Sequence, residues 1–193
     1  PLIALMNPRV THSTNPPDAF YRTALDPDVD LVIYLTSTAL AHATLTDELI
    51  DKGKRFVLME ELTPDMLAPG GPGAADYQAM HVYGSKLAEI FTAGETIHVT
   101  CPNGTNLTAS IKGRPGRAIT GMPLAMKPGG GGGCAFPDGE THICPVEGTG
   151  NGTIVFDMTA HTVGRIREPM RLTVKDGMVT AIEGGREAQI WRE

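Results

Sequence analysis

Cysteine, clustered positive charge and long apolar runs are scarce or missing in this chain, and each absence closes off a class of protein. Only 3 cysteines occur in 193 residues, Cys101, Cys134 and Cys144, and none lies in a Cys-x-x-Cys pair. An odd, dispersed set argues against a disulfide framework and against a structural zinc site. Net charge is −6 with a pI near 5.5 and no Lys/Arg cluster stands out, so a nucleic-acid partner is not expected. No apolar run approaches the roughly 20 residues of a membrane span, and Pro1-Leu2-Ile3 lacks the basic start of a secretory signal. The expected location is cytoplasmic. No Gly-x-Gly-x-x-Gly joins a strand to a helix, so dinucleotide binding has no support.

What is present is 41% hydrophobic residues, 20% charged residues and a mean hydropathy near zero, enough to bury a real core. The first half reads as α/β. Leu2–Met6 is an expected strand, 7–18 a proline-containing loop, and Asp18 caps a short helix to about Leu25. Asp30–Leu35 is a continuous apolar run of the kind buried on both faces of a parallel sheet. Thr36-Ser37-Thr38 supplies a cap, and a helix to Lys52 follows with Leu40, Ala43, Leu45, Leu49 and Ile50 on its apolar side. Arg55–Met59 is the next strand, completing a βαβ unit. Ligands of such sheets gather beyond the strand C-termini, here Leu35 to Thr38 and Met59 to Glu61. Asp76 to Ala93 is an amphipathic helix bearing Tyr77, Met80, Tyr83 or Gly84, Leu87, Ile90 and Phe91 at spacings of three and four.

Past Gly94 the pattern becomes short β-branched segments between Gly, Pro and Asn, with Asp176-Gly177 a hairpin signal. The expected fold is therefore α/β, a parallel βαβ layer over 1–94 followed by a β-rich, mostly antiparallel domain over 95–193. The glycine run Gly129 to Gly133 lacks the Lys-Ser/Thr of a phosphate loop and reads as a flexible approach to the turn at Phe136. The absence of Met at position 1, and a final helix of about two turns in Glu187–Glu193, lead to the expectation of an internal piece of a longer protein.

Chemistry concentrates in Cys134 to Asp157, CAFPDGETHICPVEGTGNGTIVFD. The turn Pro137-Asp138-Gly139 starts a new extended segment, on which Glu140, His142 and Cys144 share one face by alternation. A carboxylate and an imidazole roughly 6–7 Å apart can share a divalent metal or act as base and orienting partner. A hairpin with a solvated polar face explains the same pattern. His142 also reads as a solvent-facing strand residue. Glu147 reads equally as a helper of a metal ligand or as surface. His161 reads as an exposed loop residue, His42 as surface or half-buried, and His81 and His98 as helix-face and strand residues. Cys144 reads as a buried structural thiol rather than a nucleophile.

Together with TSTALAHATLTDELIDKGKRFVLMEELTPDML and MRLTVKDGMVTAIEGGREAQIW, this stretch resembles the leucyl aminopeptidase family of the aminopeptidase T type. That superfamily also includes 2,5-dihydroxypyridine 5,6-dioxygenases. The resemblance runs over about residues 30 to 193 and is sharpest at the FPDGE turn. It implies a two-domain, homodimeric metalloenzyme with its metal between an α/β and a β-rich domain, acting on a peptide or a small aromatic substrate. In the peptidase branch Glu140 is a ligand of a Zn, Co or Mn ion that activates water for hydrolysis of N-terminal peptide bonds. In the dioxygenase branch Fe(II) is held elsewhere and the acidic residue lies near the substrate. In both branches the remaining ligands lie downstream of the hairpin, and the sequence ends before them, so an inactive fragment is expected. A third reading is a non-catalytic domain that binds a peptide or small molecule.

Overall fold

The computed structural model describes residues 14–125, 131–160 and 163–193. The expected first strand, Leu2–Met6, and His161 lie outside them. Helix α1 (Asp18–Ala24) is followed by β1 (Leu31–Tyr34), α2 (Thr44–Asp51), β2 (Arg55–Leu58), α3 (Pro64–Leu67) and α4 (Tyr77–Ala93). Then come β3 (Thr96–Thr100), β4 (Asn106–Ser110), β5 (Arg117–Ile119), β6 (Leu124–Ala125), β7 (Gly132–Ala135) and β8 (Glu140–His142). The chain continues through β9 (Asn151–Phe156), β10 (Thr159–Ala160), β11 (Gly164–Arg165), β12 (Met170–Lys175), β13 (Met178–Glu183) and α5 (Arg186–Arg192). The fold class is mixed α/β, with a parallel sheet and an antiparallel one, as the sequence predicts.

The contacts divide the chain into two compact units, one running to Ser85 and including Ala118–Thr141, the other made of Lys86–Arg117 and His142–Glu193.

The first unit is organised by a four-stranded sheet in the order β1-β2-β7-β6. β1, β2 and β7 run parallel, with Val32 opposite Phe56 and Phe56 opposite Gly133; β6 closes the edge antiparallel to β7. Val32, Tyr34 and Phe56 meet Ala24, Leu40, Ala43, Leu45 and Leu49 in one apolar cluster. Each large side chain buried there contributes about 1.5–3 kcal/mol. Helix α2 begins later than its Thr36-Ser37-Thr38 signal suggests. Residues 40–43 form a turn closed by the Ala43 N–H on Leu40 O, Glu60 accepts the Leu40 N–H, and the residue before the helix is Ala43, which has no side-chain cap.

Two sequence expectations fail in this unit. The run Leu31–Leu35 is not buried on both faces: Val32 and Tyr34 are buried, whereas Leu31 and Ile33 remain 46% and 52% exposed. Helices α1 and α2 pack on one side of the strand only, and apolar composition alone cannot distinguish a covered face from a bare one. Nor are Gly132 and Gly133 a flexible approach, since they form the first half of β7. Gly133 is required because Phe56 lies against it, and a Cβ there would collide with three atoms of the phenyl ring. Gly129 and Gly130 lie outside the described residues.

The second unit carries a five-stranded antiparallel sheet in the order β13-β12-β9-β4-β3. Asp176 and Gly177 both adopt positive φ, 49° and 76°, the geometry of a two-residue primed turn, so the Asp-Gly signal gives the β12–β13 hairpin. Helix α5 is short but anchored. Ala188 is fully buried with Met170 and Leu172, and Trp191 meets Phe156 edge-on at 5.1 Å.

Replacing Gly133 with Ala forces a methyl group into the Phe56 ring and is expected to cost about 1–3 kcal/mol in urea unfolding. Combining it with Phe56→Leu should recover part of that loss, whereas purely additive losses would show that the two sites do not touch. Tyr34 is fully buried, and burial first of all, with the Glu60 charge adding, pushes its hydroxyl from 10.0 to about 12. The unfolded chain therefore releases this proton before the folded chain does. Stability is expected to be intact below pH 10 and to fall as the pH climbs towards 12. Tyr34→Phe should flatten that decline, and an unchanged pH profile would remove the assignment.

Candidate functional site

In the first unit the C-terminal ends of three parallel strands lie side by side, the position at which open α/β sheets bind ligands. Backbone bonds continue the alignment past the strands: Met59 N–H donates to Tyr34 O at 2.8 Å, Glu61 N–H to Thr36 O at 2.7 Å and Phe136 N–H to Leu58 O at 2.8 Å. The sequence indicates two of these ends. The third, beyond β7, is hidden by the glycines, and it brings the FPDGE turn to the same edge.

After Ala135 the chain turns through Phe136 and a cis Pro137 to Asp138, whose Oδ1 accepts the Gly139 N–H at 2.7 Å. The start of α4 lies against this turn. Asp76 caps the helix, its Oδ1 accepting the Ala79 N–H at 2.9 Å. Tyr77 meets Phe136 with ring centroids 5.3 Å apart and donates its hydroxyl proton to Pro72 O at 2.8 Å. Gly139 sits against the Met80 sulfur, and Gly84 against Thr120 and Thr141. One turn beyond Tyr77, His81 Nδ1 is 3.1 Å from Thr120 Oγ1, and Thr120 is buried. The packed side of α4 thus uses Tyr77, Met80 and Gly84 of the predicted face. Tyr83, Leu87 and Ile90 are exposed instead, and at the Tyr83/Gly84 position it is the glycine that faces Thr120.

The electrostatics concentrate at the same turn. Burial pushes the Asp138 carboxyl above the usual carboxylate range and the neighbouring Glu140 adds to it, against the Gly139 N–H. Burial, then the Asp138 charge, raises the Tyr77 hydroxyl. Perturbed groups gathered at strand ends mark a functional-site candidate. Asp138, Tyr77 and His81 are the residues that sequence reasoning passes over. The usable signal was the register of Tyr77 and His81 at i, i+4 on one helix face.

The residues predicted as a site are distributed as follows. Glu140 opens β8 and is exposed; His142 closes the same strand and is half-buried. Cys144 lies beyond the strand and is exposed, not a buried thiol, because β8 ends at His142. Glu147 is exposed and forms an ion pair with Arg114 inside the second unit. Its own backbone N–H first, then Arg114, hold its carboxyl below the usual range. His42 is exposed, and His98 is 2.7 Å from Asn106 Oδ1. Among the described residues no group of three or more His, Cys, Asp or Glu side chains is placed to hold a metal ion. A non-haem iron or catalytic zinc site needs at least three protein donors, so these residues do not by themselves fit either.

Comparison with known proteins supplies the family. The model of the NicX family, 2,5-dihydroxypyridine 5,6-dioxygenase, matches residues 18–193. The chain belongs to the 2,5-dihydroxypyridine 5,6-dioxygenase family. A solved structure of 2,5-dihydroxypyridine dioxygenase from Pseudomonas putida KT2440 superposes with a TM-score of 0.69 at 24% identity and shares the fold of this NicX-family chain. The match covers 90% of this chain and 47% of that one, so the chain spans about half the length of its solved relative. No curated protein sequence matches. The comparisons fall on the dioxygenase branch of the expected superfamily, and nothing in them supports the aminopeptidase branch. No described helix is long and apolar enough to cross a membrane.

Replacing buried Thr120 with Val removes the partner of His81 at nearly constant volume. Thr120→Val is expected to lower stability in urea by about 1 kcal/mol. A neutral or stabilising result would mean that the 3.1 Å contact is not a hydrogen bond in solution.

Proposed function

We propose that this chain forms the substrate-side half of a ring-opening dioxygenase that acts on a hydroxylated pyridine. The observation that carries the proposal is the family match across residues 18–193, with the FPDGE turn brought to the ligand edge of the parallel sheet. In this reading Glu140 is the carboxylate near the aromatic substrate, accepting a hydrogen bond from a ring hydroxyl. His142, two residues further along β8, is its companion on the same strand face. Glu147, anchored by Arg114, orders the loop that follows rather than touching substrate.

Fe(II) is the metal that the family reading implies, and the described residues do not offer its donor set. The role assigned to this chain is accordingly confined to binding and orienting the ring. The same missing donors apply to the Zn, Co or Mn of the peptidase reading. A homodimeric, cytoplasmic enzyme completes the proposal.

Oxygen consumption in the presence of Fe(II) and 2,5-dihydroxypyridine, set against release of aniline from aminoacyl-anilides, separates the two reaction classes. The natural gene product that contains this chain is expected to consume oxygen in step with loss of the pyridine and to leave the anilides intact. Glu140→Gln should lower kcat/KM by about tenfold or more. Anilide hydrolysis, or no oxygen uptake, would overturn the proposal.

A further inference from the structure

We infer that Tyr77, Phe136 and Asp138 form a subsite for one planar N-heteroaromatic ring bearing an O–H or N–H donor, with the Asp138 carboxylate as the acceptor. The inference rests on the hydroxypyridine reading above and adds three side chains to the Glu140 contact assigned there.

The geometry starts from the backbone. Phe136 and Asp138 flank Pro137 directly beyond the C-terminal end of β7, and Tyr77 comes from the first residue of α4. The two rings approach to 5.3 Å with a 41° tilt, and both remain half-buried, so part of each is open to a further partner. Gly121 makes room for this arrangement. A Cβ there would strike the Tyr77 ring and come within 3.2 Å of the Asp138 carbonyl oxygen, which places Tyr77 and the Asp138 backbone around one small space.

The polar chemistry follows by assigning each donor and acceptor. The Tyr77 hydroxyl already donates to Pro72 O at 2.8 Å, so Tyr77 offers the edge or face of its ring. Phe136 has no polar atom. Asp138 uses one oxygen to accept the Gly139 N–H at 2.7 Å, and among the described residues the other oxygen accepts no hydrogen bond. No polar side-chain atom among the described residues is both fully buried and unpartnered, so that oxygen is still reachable. A half-buried carboxylate with one reachable oxygen gains from a charge-assisted donor, and the adjoining rings gain from a flat apolar surface. A hydroxypyridine supplies both in one molecule. Pyridine supplies the plane without the hydroxyl, and an aliphatic amide supplies the donor without the plane.

The test is titration of 3-hydroxypyridine and of pyridine into the protein, read by ligand-observed NMR and calorimetry. 3-Hydroxypyridine is expected to bind more tightly than pyridine. Asp138→Asn, close in size, should weaken 3-hydroxypyridine by about tenfold or more and leave pyridine unchanged. Tyr77→Leu should weaken both, and Lys112→Gln, on an exposed pair with Glu95, should change neither. The two substitutions at the subsite keep the test available if one of them unfolds the chain, which the urea midpoint reports. Equal binding of the two ligands, undetectable binding at millimolar concentration, or unaltered hydroxypyridine binding in a folded Asp138→Asn protein would overturn the subsite. The family reading is judged separately by oxygen uptake, so either can fail while the other stands.

Discussion

The close passage of Gly133 under the ring of Phe56 is the contact on which the first unit depends. It lets β7 pair with β2 in parallel register, from Arg55 opposite Gly132 to Leu58 opposite Ala135. More than seventy residues separate the two strands in sequence, so the loop closed by this pairing is long. Closure entropy grows only slowly with length, and a packed phenyl ring together with a parallel ladder can offset it. Without that approach the turn after β7 would have no fixed place. With it, Phe136 emerges bonded to Leu58 O at the edge where β1 and β2 also end.

The chemistry at this edge follows from that placement. Asp138 is raised by burial because the turn is packed against α4, and α4 can pack there because Gly84 and Gly139 present no side chain to Thr120 and Met80. A site built this way uses small residues to bring larger ones together. The same logic explains why the described residues suit the proposed ring better than a metal. They gather one half-buried carboxylate and two aromatic rings, and no three-donor group.

The parts of this arrangement that were legible in the sequence are those with local causes. The alternation of β-branched segments with turn residues gave the antiparallel sheet, and Asp176-Gly177 gave its hairpin because two positive φ angles in succession favour those residue types. The periodicity of Asp76 to Ala93 gave α4, though not which of two apolar stripes is packed, since Tyr83 and Gly84 compete and only tertiary contact selects the glycine. β7 was illegible for the opposite reason. Glycines carry no strand preference, and their place in the sheet is imposed by a ring from a distant strand. Glu140 stood out as a carboxylate after a turn, while Asp138, two residues earlier, looked like part of the turn itself. Its importance lies in burial, which a local pattern does not reveal. The FPDGE turn alone did not separate the two expected branches, so the choice between them came from the family match across residues 18–193.

The docking of β7 makes the three cysteines a direct gauge. Cys134 lies on β7 and is buried, its thiol pushed above its usual value by that burial, while Cys101 and Cys144 are exposed. Timed reaction of the native protein with an aromatic disulfide reagent should therefore modify two thiols promptly and the third only as denaturant releases β7. Prompt modification of all three in native buffer would contradict the pairing of β7 with β2, and with it the placement of the turn on which the proposed site is built.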